Sequence, residues 1–523
     1  MTSDTRAAAL RRASTLIRTL DRLYDVATDR RGFWILLLVY LVAHAALRVW
    51  ASPNIGTDEV EQALFAQSWS WGYNPRQPPL FTWLLLGAYA VFGAGALAHV
   101  VLKYVALGVM YGCAYACARR LTASPERAAL ATLSLLLIYG FGWGVHTGVT
   151  HTLVLSALIF ANLLALLRLV EHRRLADYLL FGVATGLGLL TKYSYGVFVG
   201  PLLLGCLLVR DIRGALLTRR MLAALGAAAL VFLPHGLWML IVGRDYGATL
   251  AELGGVGAQH SWLADVATGL GSLVKASALF LAPFWIIALI VFWPALRAPK
   301  TAPARPWLRA LAGAIALGLG LLVLTVMIAE VTYFKDRRMH ALLLIAPLVL
   351  FVWLDHRPVA PKRLRALAAI VGAVVAAVFL ILVGQALVEP YTCRRCWLHM
   401  PFPALEQAIR QSGFERGTIV TDEEHVGGNL RLGFPAARVL SPAYPTLNAS
   451  APGADGACLL AWHARFAGDA IPSRLADYLE QRFHLTPTGT PIVLDLPMLR
   501  RADRLDRFGY LIVPNADGDC RPR

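Results

Sequence analysis

Apolar runs long enough to cross a bilayer recur along most of this chain, and no other feature restricts its fold as much. The first spans Phe33 to about Trp50, and others follow at roughly 99–118, 128–145, 151–170, 175–191, 196–210, 221–243, 272–296, 310–329, 339–355 and 366–388, eleven in all. About 20 apolar residues of helix cover the hydrocarbon core, and most of these runs come close to that, 196–210 being short. Of the 523 residues 57% are hydrophobic and 15% charged, against about 25% charged in soluble domains. The expected fold class is therefore an all-α polytopic membrane protein of about eleven transmembrane helices, which excludes a soluble enzyme. The formal charge of +17 (49 basic minus 32 acidic residues) would suggest nucleic acid in a soluble chain. In a membrane protein it is first assigned to cytoplasmic loops, so no nucleic-acid partner is expected.

Residues 1–32 form a basic arm, with seven Arg and four Asp between Met1 and Arg31. The apolar run behind it exceeds a signal h-region and lacks a convincing cleavage site, so it reads as an uncleaved span. Leu80 to Ala98 is also apolar, yet counting it as a span inverts every later basic loop. Laid on the outer surface as a juxtamembrane helix, it leaves RRLTASPER (119–127), EHRR (171–174), RDIRGALLTRR (210–220), RAPKTAPARPWLR (297–309) and HRPVAPKRLR (356–365) all inside. One outer segment, EVTYFKDRR (330–338), breaks the rule with Lys335, Arg337 and Arg338. Cations at a membrane edge without a topological reason point to function, or else to pairing with Glu330, Asp336 or lipid head groups.

Three regions follow: the arm (1–32), a transmembrane region (33–388) whose first outer loop and juxtamembrane helix occupy 51–98, and a C-terminal domain (389–523). From Glu389 hydropathy falls, and strand-like GTIV, ARVL, ACLLAW, PIVLDL and GYLIV alternate with helix-like LEQAIRQSG and SRLADYLEQRF. This predicts a small soluble α/β domain on the outer side. Four of the seven cysteines, Cys393, Cys396, Cys458 and Cys520, fall in it. In an oxidising compartment they favour disulfides over a redox or zinc site, with the connectivity left open.

The stretch TDEVEQALFAQSWSWGYNPRQPPL (57–80) carries the densest chemistry. Asp58 and Glu59 could cap a helix N-terminus or serve as an acid pair. Polar and aromatic residues follow, among them Trp69, Tyr73 and Gln77, and Pro78-Pro79 opens the next apolar helix. His151, Lys192, Tyr193, His260, Tyr333, Lys335, Arg337 and Arg338 come from the other outer segments. They can line one cavity at the outer face, acids toward an acceptor and cations toward a membrane-anchored phosphate.

With GLGLLTKYS (186–194) and TYFKDRRMHALLLIAPL (332–348), the 57–80 stretch resembles the polyprenyl-phosphate-dependent GT-C glycosyltransferases, the protein O-mannosyltransferase and lipid A aminoarabinose transferase group. The resemblance covers most of residues 33–390. It implies a GT-C fold and an inverting transfer of a sugar from a polyprenyl-phosphate donor to a glycolipid such as lipid A, a polysaccharide or a protein. The setting it implies is the outer face of a bacterial inner membrane, with the active site facing the periplasm and membrane lipids as partners. Asp58 matches the catalytic acid and Glu59 its neighbour, while Lys192 and the cluster of Lys335, Arg337 and Arg338 match residues expected near the donor phosphate. Trp69, Tyr73, Gln77, Tyr193, Tyr333, His151 and His260 are the expected substrate contacts. Gln77 stands where many members carry Lys or His, and Arg76 where some carry a metal-linked Glu. No cofactor is therefore expected with certainty, and a divalent metal stays open. A transporter or flippase of lipid-linked sugars would need similar outward cations but also ionisable residues at span midpoints, whereas the charges here are read at span ends.

Overall fold

In the computed structural model the chain is described for residues 21–242, 261–445, 456–487 and 489–513, together with Arg18 and Leu447. The basic arm up to Ile17 and the expected substrate contact His260 lie outside the described residues.

The helices follow the apolar runs: α1 (Arg30–Ala51), α2 (Thr57–Phe65), α3 (Leu80–Phe92), α4 (Ala96–Leu121), α5 (Pro125–Leu133), α6 (His151–His172), α7 (Leu175–Leu189), α8 (Gly196–Leu207), α9 (Arg219–Val242), α10 (Trp262–Leu281), α11 (Phe284–Arg297), α12 (Pro306–Ala329), α13 (Ala346–Leu354) and α14 (Pro361–Thr392). Among the described residues seven of them are long and apolar enough to cross a membrane, and nine segments pass if each of two bent pairs is one span. The protein is a multi-pass membrane protein. Helix α3 is 13 residues long, about 20 Å at 1.5 Å per residue, too short for a core of about 30 Å. That length suits a helix that does not cross.

Several expected spans differ from the structure. The 128–145 run stays α-helical only as α5, then passes through a 3-10 turn at Ser134–Leu137 and a π turn at Gly140–Gly144. Gly140, Gly142 and Gly144 weaken helix there. The 272–296 run is two helices, α10 and α11, divided at Pro283, which has no N–H and disfavours helix in the residue before it. The 196–210 and 339–355 runs are bent, Tyr193–Leu207 against Arg210–Leu216 by 116° and Asp336–Leu343 against Ala346–Leu354 by 46°. Helices approach closely through small residues: a side chain at Gly182 would strike the Ala224 carbonyl, and one at Gly205 the Ala310 carbonyl. In lipid, such contacts bring backbones within packing distance.

The C-terminal domain has a five-stranded sheet of order β2-β1-β3-β5-β4, from β1 (Gly417–Thr421), β2 (Arg438–Leu440), β3 (Ala457–Trp462), β4 (Ile492–Met498) and β5 (Arg501–Val513). Strand β1 pairs parallel with β2 and β3, and β5 pairs antiparallel with β3 and β4. Helices α15 (Phe402–Gln411), α16 (Glu424–Gly433) and α17 (Ser473–Phe483) accompany it. Its core runs from Met400 and Phe402 through Ile419, Leu459 and Trp462 to Phe508, and takes in Leu64, Phe65 and Tyr73 of the first loop. Cys393 and Cys396 form a disulfide, and Cys458 is disulfide-bonded as well; Cys520 lies outside the described residues.

Helix α16 packs on α2. With Gly428 facing Val60, a Cβ there would come 2.5 Å from Val60 Cβ, so only glycine allows this approach. Gln67 completes the junction: its amide donates to Val439 O (2.8 Å) and accepts from Val439 N (2.6 Å). The side chain thus satisfies an edge position of β2 that would otherwise be open for pairing.

Candidate active site

Helix α2 begins at the end of α1, and its N-terminus is fixed from three sides. Gly56 is the N-cap, and its N–H donates to Glu59 Oε2 at 2.9 Å. From the C-terminal domain, Asn429 Oδ1 accepts from Ile55 N at 2.9 Å, while Asn54 Nδ2 donates to Met400 O at 2.8 Å. From the bundle, Lys103 Nζ on α4 lies 3.0 Å from Glu59 Oε1, and Arg48 Nη2 on α1 lies 3.4 Å from Oε2.

Glu59 is buried. Burial alone would raise its carboxyl, but Lys103 and Arg48 outweigh that and hold it well below the usual range. Its oxygens are thus engaged with one backbone N–H and two cations. The geometry describes a clamp on the helix start rather than a group waiting for substrate. Glu59→Gln would leave two cations short of their buried partner, and breaking such a pair costs on the order of 3 kcal/mol or more. Thermal unfolding of the detergent-solubilised protein should show a clear loss of Tm; an unchanged Tm would remove the clamp.

Asp58, one residue earlier in the same turn, turns elsewhere. It is accessible at the surface yet sits in a recess that dehydrates it, and this raises its carboxyl; the adjacent Glu59 adds to the rise, while Arg337 and Lys192 oppose it. Lys192, half-buried at the end of α7, donates to Thr152 Oγ1 at 2.8 Å. Its burial and the neighbouring Arg337 pull its ammonium down to about 8, against the lifting effect of Asp58. An accessible carboxylate on α2 thus lies within the electrostatic influence of two cations, one from the α7–α8 turn and one from the segment before α13.

The other expected residues divide. Trp69 and Trp71 are exposed, and Trp69 stacks on Trp83 at 5.7 Å, a broad aromatic face beside the loop. Tyr73 is buried; its hydroxyl donates to Ser68 O at 2.9 Å and accepts from Ser70 N at 3.0 Å, so it shapes its own loop instead of offering a substrate contact. Tyr193 touches Pro75 O (3.2 Å) and His235 Nε2 (3.0 Å), fastening the loop to α9. His151 is buried against Phe81, and Tyr333 is exposed. Gln77 is half-buried. Lys335, Arg337 and Arg338 share one short segment, of which Arg337 acts on both Asp58 and Lys192.

Among the described residues no group of three or more His, Cys, Asp or Glu is placed to hold a metal ion. No step is routed through a metal ion.

Sequence reasoning missed two groups. Lys103 lies inside α4, so not every charge sits at a span end; an ionisable residue within a span was the available signal. Glu61 is half-buried, three residues from Asp58 and therefore on the same helix face. Dehydration first, then Glu424 and Asp58, raise it to about 7.

Comparison with known proteins bears on the fold and on the class of chemistry. Residues 76–238 match the family described as dolichyl-phosphate-mannose-protein mannosyltransferase. The lipopolysaccharide core galacturonosyltransferase RgtB of Rhizobium johnstonii is 29% identical over 93% of this chain and 99% of its own length. RgtA, the lipopolysaccharide core galacturonosyltransferase of the same organism, is 27% identical over 85% of this chain and 90% of its own. In fold, the chain superposes on ArnT from Cupriavidus metallidurans bound to undecaprenyl phosphate with a TM-score of 0.59 and 14% identity, over 95% of this chain and 100% of that one. The relatives are named transferases, not flippases. Together the family match, the near full-length relatives and the shared fold support a GT-C glycosyltransferase.

Proposed function

We propose that the protein transfers a sugar from a polyprenyl-phosphate donor to a glycolipid of the lipopolysaccharide class, at the periplasmic face of a bacterial inner membrane. The convergence of Asp58, Lys192 and Arg337 carries this reading. Support for the acceptor comes from the two relatives named for the lipopolysaccharide core, and for a galacturonic acid donor from the same names. A polyprenyl phosphate is what the ArnT structure of the same fold holds. The disulfide at Cys393 and Cys396 suits an oxidising compartment on that side.

In the inverting form of this reaction, Asp58 accepts the proton of the acceptor hydroxyl as its oxygen attacks the anomeric carbon. The bond from that carbon to the phosphate oxygen breaks, and the phosphate leaves with the electron pair. Lys192 and Arg337 neutralise the departing charge, with Lys335 and Arg338 on the same segment serving the donor's remaining anionic groups. The aromatic face of Trp69 and Trp71 offers a stacking surface for a sugar.

The pH dependence follows with its sign. Asp58 acts only when ionised, so activity falls as pH drops through a carboxyl raised above the usual Asp range. Lys192 grips phosphate only when protonated, so kcat/KM, which reports the free enzyme, falls as pH rises through about 8. Lys192→Arg should remove the alkaline limb; a flat wild-type profile through that region would argue against Lys192 in the donor site. The function itself is tested by supplying purified protein with polyprenyl-phosphate galacturonic acid and a lipopolysaccharide core acceptor. Glycosylated acceptor is expected, and no product with any polyprenyl-phosphate sugar would overturn the reading.

A further inference from the structure

The hairpin tip between β4 and β5 is two residues, Leu499 and Arg500, and it lands on the membrane-spanning helices. Arg500 holds a left-handed backbone, φ 62°, which glycine or asparagine adopts at lower cost. An arginine kept in such a turn points to a use for its guanidinium. That group lies 4.1 Å over the ring of Trp50 and donates to the carbonyls of Trp50 and Ala386, near the adjoining ends of α1 and α14. Beside it, Arg501 donates to Tyr391 O at 2.9 Å, and Arg504 donates to Cys393 O at 2.9 Å and Arg394 O at 3.2 Å. Arg394 and Arg395, within the Cys393–Cys396 disulfide loop, are exposed.

Segments 386–397 and 499–504 thus bring together five arginines and two carboxylates, Glu389 and Asp503, a net charge of +3 (5 minus 2). Asp503 pairs with Arg501, and Glu389 faces His399. The basic start of α1, Arg30 and Arg31, is at the opposite end of that helix, so the rule that places cations on one side of the membrane does not account for this patch. Its depth is set by its neighbours. The apolar run of α14 ends at Val388, and Leu387, Val388, Trp50 and Tyr391 are all exposed there. Open apolar side chains on a spanning helix meet lipid, and Trp and Tyr at its end mark the level of the headgroups. A guanidinium has five N–H donors; Arg500 spends two groups on carbonyls and keeps others for a phosphate, which takes them in pairs. The patch is separate from the donor site: the charges that act on Asp58 and Lys192 include Arg337, Glu59 and Lys103 and none of these five. Cations spread over an open surface suit several exchanging headgroups rather than one enclosed ligand.

We propose that this face seats the C-terminal domain on the bilayer by binding the phosphates of anionic phospholipids around the ends of α1 and α14. The inference rests on the transmembrane fold and is independent of the transferase reading. Arg500 is its centre, since it joins the hairpin to both helices at headgroup depth.

Ala502, exposed beside the tip, gives a local reporter when changed to cysteine and labelled with a fluorophore. The full-length protein is placed in nanodiscs of phosphatidylcholine and phosphatidylglycerol, with a nitroxide quencher carried by one lipid or the other at equal amount. The same protein without Ala502→Cys supplies the background from the other cysteines. Phosphatidylglycerol should quench more than phosphatidylcholine, and the excess should shrink at high salt. Arg500→Gln should lower that preference about fivefold, the effect of one cation at an anionic surface, while Arg500→Lys, which keeps the charge, should retain most of it. Arg394→Gln combined with Arg395→Gln should lower it as well while leaving the contacts of the hairpin tip in place. Equal quenching by the two lipids in the wild type, or a preference that none of these variants changes, would overturn the proposal. Displacement of phosphatidylglycerol by polyprenyl phosphate in preference to added phosphatidylglycerol would give the patch to the donor and overturn it too.

Discussion

Asp58→Asn is expected to lower kcat by about 10² to 10⁴, the usual range for a general base, with polyprenyl phosphate binding nearly intact. Asparagine keeps the size and the helix position but cannot take a proton. Asp58 has no clamp to lose: its neighbour Glu59 makes the bonds to Gly56, Arg48 and Lys103. Its removal should therefore leave the Tm near wild type, in contrast to Glu59→Gln. The pair of variants separates chemistry from architecture at consecutive residues. Single-turnover kinetics on the acceptor, alongside thermal unfolding, checks both. Wild-type turnover in Asp58→Asn would reassign the base, and Glu61 on the same face would be the next residue to replace.

On the donor side, Arg337→Ala and Lys192→Ala should each raise donor KM at least about tenfold, since a hydrogen bond to a charged group contributes about 1.5–3 kcal/mol and 1.4 kcal/mol is a factor of ten. Arg337→Lys should recover only part of the loss, because an ammonium does not reproduce the two-pronged contact of a guanidinium. The two cations also act on Asp58, holding its carboxyl down against dehydration. Losing either should thus move the acid limb of the pH profile upward as well as weakening donor affinity. A change in KM without movement of that limb would mean the cations serve the phosphate but lie too far from Asp58 to tune it.

Much of the fold was legible because hydrophobic length is a direct readout of bilayer thickness. The 151–170 run lies within His151–His172, and the strand ACLLAW is β3. Where the reading slipped, local backbone chemistry decided: Pro283 divides α10 from α11, and three glycines interrupt the 128–145 run. Helix α16 was not foreseen; its Gly427 and Gly428 are small because α2 lies against them.

Legibility at the site was uneven for a related reason. Asp58, Lys192 and Arg337 announced themselves as polar residues next to apolar runs, where no topological rule placed them. The clamp at Glu59 could not be read from adjacency, because it depends on which partners α1 and α4 bring to the turn. Arg48 and Lys103 sit at 11 and 44 residues' distance from Glu59 in sequence, beyond the reach of any local pattern. Tyr73 resembled a sugar contact and is instead a strut, since its hydroxyl is spent on Ser68 and Ser70.

The most direct test of the central claim is the fate of the donor. Purified protein in proteoliposomes would receive a polyprenyl-phosphate sugar labelled in both sugar and lipid, together with a lipopolysaccharide core acceptor. Free polyprenyl phosphate should appear in equal amount with glycosylated acceptor, and both should fall together in Asp58→Asn and Arg337→Ala. Passage of the intact doubly labelled lipid across the bilayer without cleavage, or transfer to the acceptor from a nucleotide sugar with no lipid carrier present, would contradict the account.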